Sequence, residues 1–417
     1  GNLPDGGMTL ALVEDHVAPN LLFVGTEFGV YASTNGGQAW KPLKGNFPTI
    51  AVRDLAIQKR ENDLALATFG RGFYIFDDYT PLRAIAQGTF DASKAASVFP
   101  VKDALLYTQS SPYGGSGKGF LGETFYLGEN PSFGAVFTVY LKEALKTKKQ
   151  IRQEAEKSGA AKSLTQDELR AEEEEEAPSY FATVSDAAGN VVRRLSLSNS
   201  AGLQRVAWNL RYPDIVLGRS GGDDDDDDNG SSFVLPGAYS VSISKRMGAT
   251  TTQITEPVAF NVVPLNNTSL PAPDRKALLD FQRKTANLYR AAQGASDLAG
   301  STKAKLASIK KALMETPATQ TQAAQTLALR DEISGLEQRL NLLLRNLRGD
   351  QILAGRNENV PNAILDRLGQ IAYEQSRSTS QATQEHLNGY AIAAQEFEQE
   401  LVKLKQLVEG DIPRLEK

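Results

Sequence analysis

The chain has 417 residues, with 45 basic and 50 acidic side chains and a formal net charge of −5 at pH 7. This acidic balance argues against nucleic acid as a partner, because nucleic-acid-binding proteins neutralise phosphates with an excess of lysine and arginine. The chain contains no cysteine, which excludes disulfide bonds and thiol chemistry, and it lacks the apolar run of about 18 residues that predicts a transmembrane helix.

The most distinctive local pattern begins at Ser33. Ser33, Asn35, Gly37 and Trp40 have the spacing S-x-D-x-G-x-T-W of an Asp-box, with Asn35 in the aspartate position and Ala39 in the threonine position. In such a hairpin turn a short polar side chain caps backbone amides, glycine supplies a positive φ and tryptophan packs underneath. We therefore expect a structural turn here, without a catalytic role.

The sequence around this turn repeats. An apolar run at 22–26 and a glycine-aromatic stretch at 29–31 recur at 65–68 and 72–74, offset by 42 residues before the loop and 43 after it. A period of about 40–45 residues is typical of propeller blades built from four short strands. The alternating stretch at 52–57 predicts the inner strand of the second blade.

Residues 1–84 resemble the last blades of sortilin-type and BNR (Asp-box) β-propeller proteins, large secreted bacterial proteins often described as glycosyl-hydrolase-like. The resemblance rests on NLPD at 2–5, VGTEFGVYAS at 24–33 and TFGRGFYIFDD at 68–78. Because a propeller needs about four to eight blades, the resemblance implies further blades upstream in the same polypeptide. We therefore expect that Gly1 is not the natural start, and that the protein is extracytoplasmic (secreted, periplasmic or at the cell surface).

Residues 92–265 predict a β-sandwich, because short alternating runs are separated by turn signals. Three patterns, D-x-x-G-x-V-V-R-x-L from Asp186, G-x-x-x-V-x-W from Gly202 and P-G-x-Y-x-V from Pro236, resemble the Ig-like module of flagellar hook-cap proteins. We expect Trp208 to lie in the sandwich core, as buried tryptophans in such domains normally do.

Two low-complexity segments interrupt this region. The charged insertion 142–178 contains five consecutive glutamates, and a capping box at 165–168 predicts a helix start; it is either a solvated helical hairpin or a docking arm for a basic partner. The acidic loop 219–232 contains the run Asp223–Asp228 and imitates the first half of an EF-hand. Since Pro236 replaces the closing acid, we expect loose gathering of cations, with specific Ca²⁺ binding as the alternative.

Residues 270–417 predict an antiparallel helical bundle rather than a dimerising coiled coil. Asp274 caps a first helix that extends to about Gln293, whereas Gly349 and Pro361 mark later helix boundaries. Two apolar seams with heptad spacing each need a buried partner. The seams are Leu329, Ile333, Leu336, Leu340, Leu343 and Leu347, and Leu387, Tyr390, Ala394, Phe397, Leu401, Leu404 and Val408.

Few residues are candidates for catalysis, metal binding or ligand binding. His16 and His386 are the only histidines, and one lies near the first strand and the other in the last helix, so no triad or zinc site is expected. Asp77 and Asp78 are considered because paired carboxylates can catalyse glycoside hydrolysis, but aspartates beside a turn usually cap amides. Arg71, between two glycines, either contacts a carboxylate ligand or occupies an exposed turn corner.

The sequence thus predicts a multidomain β + α protein with terminal β-propeller blades, an Ig-like β-sandwich and an antiparallel helical bundle. The glycine-rich stretch 114–119 predicts a loop and not a phosphate site, and we predict no catalytic, cofactor-binding or metal-binding residue. The expected function is secreted or cell-surface binding and scaffolding, with the upstream blades and a protein or glycan ligand as partners. Two alternatives stay open: a sialidase-like glycoside hydrolase with its active site in blades outside this chain, and a subunit of a bacterial envelope or secretion-associated assembly.

Overall fold

The protein has a mixed β and α fold that divides into two compact units. The computed structural model describes residues 2–5, 7–109, 128–159, 164–213, 231–268, 270–315 and 320–415. The first unit comprises Gly1–Leu105, Ser111–Asn209 and Pro236–Val263, and the second comprises Leu106–Ser110, Leu210–Leu235 and Pro264–Lys417.

The first unit begins with two small sheets in which consecutive strands pair antiparallel. Successive side chains of a strand point to opposite faces, so each alternating run presents one apolar face inward. The first sheet contains β1 (Thr9–Glu14), β2 (Leu22–Thr26), β3 (Gly29–Ser33) and β4 (Lys41–Pro42), and the second contains β5 (Val52–Gln58), β6 (Asp63–Thr68) and β7 (Phe73–Phe76). Helix α1 (Thr80–Ala86) follows β7.

One apolar core joins these two sheets. Phe23 and Leu64 are fully buried in it, and burying side chains of this kind stabilises the fold by about 1.5–3 kcal/mol each. The sheets approach closely at Gly25, where a Cβ atom would lie 2.8 Å from the carbonyl oxygen of Val52. A glycine is therefore required at this position for the sheets to pack as they do.

Two further sheets follow along the chain. One has the strand order β13-β10-β8, and the other has the order β12-β11-β14-β16-β9 with β15 beside β14. Their strands are β8 (Ala96–Val98), β9 (Ala104–Leu106), β10 (Ala135–Leu141), β11 (Ser179–Asp186), β12 (Val191–Leu197), β13 (Gly202–Trp208), β14 (Gly237–Met247), β15 (Thr250–Gln253) and β16 (Val258–Pro264).

Aromatic side chains from both of these sheets meet in a buried cluster. Trp208 is fully buried, which confirms its expected core position, and its ring lies 5.4 Å from that of Tyr239 and 6.2 Å from that of Phe260, centroid to centroid. Gly134 has a φ of +98° beside the Trp208 carbonyl, and any Cβ there would clash with that oxygen. Position 134 therefore requires glycine.

The charged insertion forms two short helices, α2 (Lys148–Lys157) and α3 (Gln166–Glu173). The Thr165 side chain accepts a hydrogen bond from the Glu168 amide while the Glu168 side chain accepts one from the Thr165 amide, which confirms the predicted capping box. Neither helix contains a buried residue. The hydrophobic effect therefore contributes little to their stability, and their charged contacts matter more.

The helices of the second unit pack around one shared apolar core. Most of the first predicted seam is confirmed, because Ile333, Leu336, Leu340, Leu343 and Leu347 are all buried. The helices are α4 (Arg275–Glu315), α5 (Gln320–Arg348), α6 (Gln351–Ala354), α7 (Ile364–Ser376), α8 (Gln384–Lys405) and α9 (Ile412–Leu415), with a π-helical turn at Gln406–Asp411.

Two helix predictions were wrong in detail. Helix α4 does not end near Gln293 but continues to Glu315, because burial of Ala299 and Leu306 outweighs the weak helix propensity of its glycines. Most of the second seam lies in the shared apolar core, with Phe397 and Leu404 buried and Tyr390, Leu401 and Val408 packed against it, but Leu387 is exposed whereas Leu407 is buried. A heptad pattern drifts against the 3.6-residue helical turn, and the π-helical turn changes the phase again near its end.

No helix in the described ranges is both long and apolar enough to cross a lipid bilayer.

Candidate functional site

The two N-terminal sheets are structural repeats of each other. A register shift lies between Thr9 and Ala11 in β1 and between Val52 and Asp54 in β5, which are equivalent places 43 residues apart. Both sheets also carry a cross-strand row of a leucine, an aliphatic residue and a tyrosine. The rows are Leu12, Val24 and Tyr31 in the first sheet and Leu55, Leu66 and Tyr74 in the second.

Each sheet therefore has two faces that can be compared position by position. We call the face with the leucine–tyrosine row the rear face and the opposite one the front face. The front-face positions that correspond are Phe23, Val30 and Ala32 in the first sheet and Ala65, Phe73 and Ile75 in the second. The front face of the first sheet and the rear face of the second contribute to the same core, so the sheets stack head to tail.

The front face of the second sheet is open. Phe73 exposes 80% of its surface and Ile75 exposes 56%, whereas the equivalent Val30 and Ala32 in the first sheet are buried. An exposed apolar sheet face on a folded protein marks a surface that another molecule or segment covers. We define the open front face by Ala65, Ala67, Phe69, Phe73 and Ile75; the exposed Asp54, which pairs with Ala67, adds one charged side chain to it.

The edge of the open front face carries an aromatic–arginine contact. Phe69 is exposed, and the guanidinium carbon of Arg53 lies 5.1 Å from the centroid of its ring. The sequence analysis did not single out Phe69 or Phe73. The available signal was the repeat itself, because aligning the two units shows that Phe73 replaces the core residue Val30.

Arg71, the candidate ligand contact, lies at the tip of the hairpin between β6 and β7. Its neighbours Gly70 and Gly72 have φ values of +82° and +69°, a region that glycine adopts without steric cost. The arginine is exposed, and its position in the chain between Phe69 and Phe73 places it beside the open front face. Arg71 stays a candidate contact.

The Asp-box residues form a tightly capped turn. The Ser33 Oγ accepts a hydrogen bond from the Gly37 amide at 2.9 Å, and the Asn35 Oδ1 accepts one from the Ala39 amide at 2.9 Å. The Ser33 hydroxyl also donates to the Asn35 Oδ1 at 2.9 Å. A Cβ atom on Gly37 would lie 3.5 Å from the Trp40 ring. Both polar side chains are used to hold the backbone, as a structural turn requires.

A buried polar cluster, which the sequence analysis missed, connects the loop after β1 to helix α1. The Asp15 carboxylate accepts hydrogen bonds from Arg83 Nε and Nη2 at 2.7 and 2.6 Å, from the Tyr79 hydroxyl at 2.7 Å and from the Val17 and Ala18 amides. Burial raises the pKa of Asp15, but the bonds from Arg83, Tyr79 and the amides outweigh it and hold that pKa well below its usual range. The charge is fully compensated, so the role of the cluster is structural.

The adjacent aspartates differ from each other in environment. The Asp78 Oδ1 accepts hydrogen bonds from the Thr80 amide at 3.2 Å and the Thr80 hydroxyl at 2.6 Å, and its amide donates to Asp63 Oδ1 at 2.8 Å. Asp78 therefore caps the turn before α1. Burial and the neighbouring Asp63 raise the pKa of Asp77 above its usual value, so ionising Asp77 is less favourable in the folded protein than in the unfolded chain.

The two histidines lie in separate polar settings. His16 Nδ1 is 3.6 Å from the carboxylate of Asp15, whereas His386 Nε2 is 2.7 Å from Glu374 Oε2 and its Nδ1 is 2.9 Å from the Gln375 side-chain nitrogen. Because Nδ1 also accepts from a backbone amide, that of Thr383, the contact with Glu374 is the one in which the ring donates. Each histidine is thus part of a local hydrogen-bond network.

Within the described part of the chain, no group of three or more His, Asp or Glu side chains is arranged to hold a metal ion. The run Asp223–Asp228 and the glycine-rich stretch 114–119 lie outside the described residues.

Glutamates of the run in the charged insertion form ion pairs within the protein. Glu172 receives two hydrogen bonds of 2.9 Å from Arg152, one on each carboxylate oxygen, and Glu173 pairs with Lys149 at 2.7 Å. These contacts join α3 to α2. Pairing of this kind favours the solvated hairpin over a docking arm for a basic partner.

Comparisons with known proteins assign no family. A scan against protein-family models finds no match, and neither does a search of curated proteins. Two structures of the extracellular domain of BT4673 from B. thetaiotaomicron match, provisionally described as a one-component system in one and a hybrid two-component system in the other. They are 12% and 11% identical, with 62% and 63% of this chain and 25% of each of those chains covered, both at a TM-score of 0.14. This chain spans about a quarter of their length, and so low a TM-score does not establish a shared fold.

Proposed function

We propose that this chain is part of a secreted or cell-surface binding and scaffold protein, in which residues 1–84 supply blades of a β-propeller that recognises a protein or a glycan. The observation that carries the proposal is the open front face. Phe73 and Ile75 are exposed there at positions where the first sheet packs against its neighbour, so the same surface is shaped to receive a partner.

The propeller assignment is supported by the direction of stacking. The front of one sheet packs on the rear of the next, as successive blades of a ring must, and the sheets share a bulge at equivalent positions. The Asp-box turn at Ser33 also supports this assignment. The Ig-like sandwich and the helical bundle are the other two modules of the proposed protein. In this account the upstream blades of the same polypeptide continue the ring.

A glycoside hydrolase is the second candidate, and one observation favours it. Burial and Asp63 raise the pKa of Asp77, which is a property of the general acid in such enzymes. Its neighbour Asp78, however, caps Thr80 and is not free to act as the second carboxylate. Loss of glycan hydrolysis by the full-length protein on Asp77→Asn substitution would favour the enzyme over the scaffold.

The absence of cysteine makes a direct test available. We would introduce Ile75→Cys, on the open front face, and separately Lys59→Cys, on an exposed loop, into the full-length protein in its producing cells. A membrane-impermeant maleimide should label Cys at 59 on intact cells, whereas Cys at 75 should be protected there and reactive in the purified chain. Labelling of position 59 only after lysis would contradict the location, and equal labelling of both positions would contradict an occupied face.

A further inference from the structure

A small polar cavity lies within the second unit, among α4, α7 and the residue Ser232. Its polar lining side chains are Ser232, Gln282, Thr285, Gln375 and Ser376, and all of these except Gln282 expose 8% of their surface or less. The space open to the centre of a water-sized sphere is about 10 Å³. One water molecule needs about 10–15 Å³ by this measure, so the cavity has the size of a single water.

Gln375 brings an unsatisfied hydrogen-bond acceptor to this cavity. The residue exposes only 4% of its surface, and no donor among the described residues lies within hydrogen-bond distance of its Oε1. Buried acceptors in folded proteins are normally paired with a protein group or an ordered water, because an unpaired one loses its hydration without compensation. The Gln375 oxygen therefore needs a donor that the surrounding protein does not supply.

The orientation of the Gln375 amide is fixed by His386. The imidazole Nε2 donates to Glu374 Oε2 at 2.7 Å, so Nδ1 is the unprotonated nitrogen, and it accepts from the Thr383 amide at 3.3 Å. Gln375 Nε2 lies 2.9 Å from the same Nδ1. Only the nitrogen of the amide can donate there, since two acceptors would repel each other. The amide oxygen is therefore turned away from His386, which leaves it for the cavity.

The cavity also offers the other partners that a water molecule requires. The Thr285 and Ser376 hydroxyls each donate to a main-chain carbonyl of their own helix, at 3.1 and 2.8 Å. Each has thus used its single proton, and its oxygen can still accept. The Ser232 hydroxyl can donate. A water in the cavity would then have acceptors for both of its protons and a donor for its oxygen, within the usual range of two to four partners.

The charge beside the cavity favours a neutral occupant. Arg211 is buried, and its Nη1 donates to the carbonyl oxygens of Ser231 and Ser376 at 2.6 and 2.9 Å. A metal cation would be repelled by this guanidinium, and none of the described residues that line the cavity is acidic. An anion would instead meet the acceptor oxygen of Gln375. Water fits because it is neutral, donates and has the right size.

We propose that this cavity binds one water molecule, which donates to Gln375 Oε1 and to the hydroxyl oxygen of Thr285 or Ser376 and accepts from Ser232. The water completes the hydrogen bonding of the buried side chains where α4, α7 and the stretch 231–235 meet. The inference goes beyond the proposed function and does not rest on it, because every residue involved lies in the second unit.

The experiment is oxygen-17 relaxation dispersion of the solvent around the purified chain at pH 8, where an ordinary imidazole is neutral. This measurement counts the water molecules that stay bound for longer than the protein takes to tumble, and exchanging hydroxyl protons do not contribute to it. The site variant is Ala372→Val, which adds two methyl groups to a residue that lines the cavity. The matched control is Ala391→Val, at an exposed position of α8.

The wild type and the control should have the same number of long-lived waters, whereas Ala372→Val should have one fewer per chain. An unchanged number in Ala372→Val would overturn the proposal, and so would an equal loss in the control, because the lost water would then not come from this cavity. Should Ala372→Val fail to fold by circular dichroism, Gln375→Leu takes its place. That variant removes the acceptor oxygen, and the same loss of one water is expected.

Discussion

At the scale of single residues, the contacts that hold the N-terminal sheets together include one fully compensated buried charge. Asp15 is 2% exposed and accepts hydrogen bonds from Arg83, from the Tyr79 hydroxyl and from two backbone amides. Removing one partner of a buried pair is costly, because it leaves the other charge without compensation in a medium of low polarity. Loss of Arg83 should therefore destabilise this unit strongly.

Replacement of Arg83 by methionine should lower the free energy of unfolding by about 3–5 kcal/mol at pH 7. The matched control is Arg60→Met, which breaks the exposed pair with Glu61 and should cost no more than about 1 kcal/mol. Urea unfolding of both variants measures the difference. Equal costs would contradict the buried-charge account.

The cost of Arg83→Met should also depend on pH. Because the folded-state pKa of Asp15 is lowered below its unfolded value of about 3.9, the stability it contributes is complete well above that value and is lost as pH falls through the folded pKa. The difference between wild type and variant should therefore shrink between pH 7 and pH 3 in urea titrations. A constant difference would show that the carboxylate charge does not matter.

Asp77 should behave in the opposite sense. Its folded-state pKa is raised by burial and by Asp63, so the folded state binds the proton more tightly and stability falls as pH rises through the titration range. Asp77→Asn should therefore increase the free energy of unfolding at pH 7 and have little effect at pH 3. The exposed Asp5→Asn serves as the control, and a destabilised Asp77→Asn at pH 7 would refute this account.

At the scale of elements, local structure could be predicted from the sequence, whereas which surfaces of the elements pack against each other could not. The capping box at Thr165 and the seam around Leu340 were predicted because they depend on residues three or four apart. The Asp15–Arg83 pair spans 68 residues, and no pattern within a short stretch of the sequence indicates such a distant contact. Likewise, whether Phe73 is buried or open depends on which sheet lies beside it, so only comparison with the first repeat reveals it.

The close approach of the two sheets can be tested at Gly25. Gly25→Ala would place a Cβ atom 2.8 Å from the Val52 oxygen and should destabilise the unit by about 1–3 kcal/mol, as overpacking does. A helical glycine, Gly300, has open space around its Cβ direction, and Gly300→Ala should instead stabilise by about 0.5–1 kcal/mol. Thermal unfolding of both variants measures whether each substitution lowers or raises stability. A Gly25→Ala variant as stable as the wild type would contradict the tight contact.

The pairing of α2 with α3 should be sensitive to charge and to salt. Glu172→Gln removes the carboxylate that Arg152 binds with two hydrogen bonds, and neither helix has a buried residue to compensate. Amide hydrogen exchange in residues 148–157 should become faster, and 1 M salt should have a smaller effect in the same direction on the wild type, because this partly covered pair is screened less than an exposed one. The control is Asp167→Asn, which removes an exposed pair with Arg170 and should change exchange in α2 little. Unchanged exchange in Glu172→Gln would show that α2 does not depend on the pair with Glu172.

At the scale of the whole molecule, the central claim is that the two N-terminal sheets stack front to rear and leave the front face of the second sheet open for a partner. Within the chain, Gly25 lies against Val52. Ala32 and Ile75 are equivalent front-face positions of the two sheets, and Ala32 exposes 6% of its surface whereas Ile75 exposes 56%.

Cysteine reactivity at this pair is the most direct measurement, because the chain has no cysteine of its own. The purified Ala32→Cys and Ile75→Cys chains would each be treated with maleimide when folded and again when unfolded in urea. The account predicts that the folded Ile75→Cys chain reacts much faster than the folded Ala32→Cys chain, and that the two react equally in urea. Equal rates in the folded chains would contradict front-to-rear stacking of the two sheets.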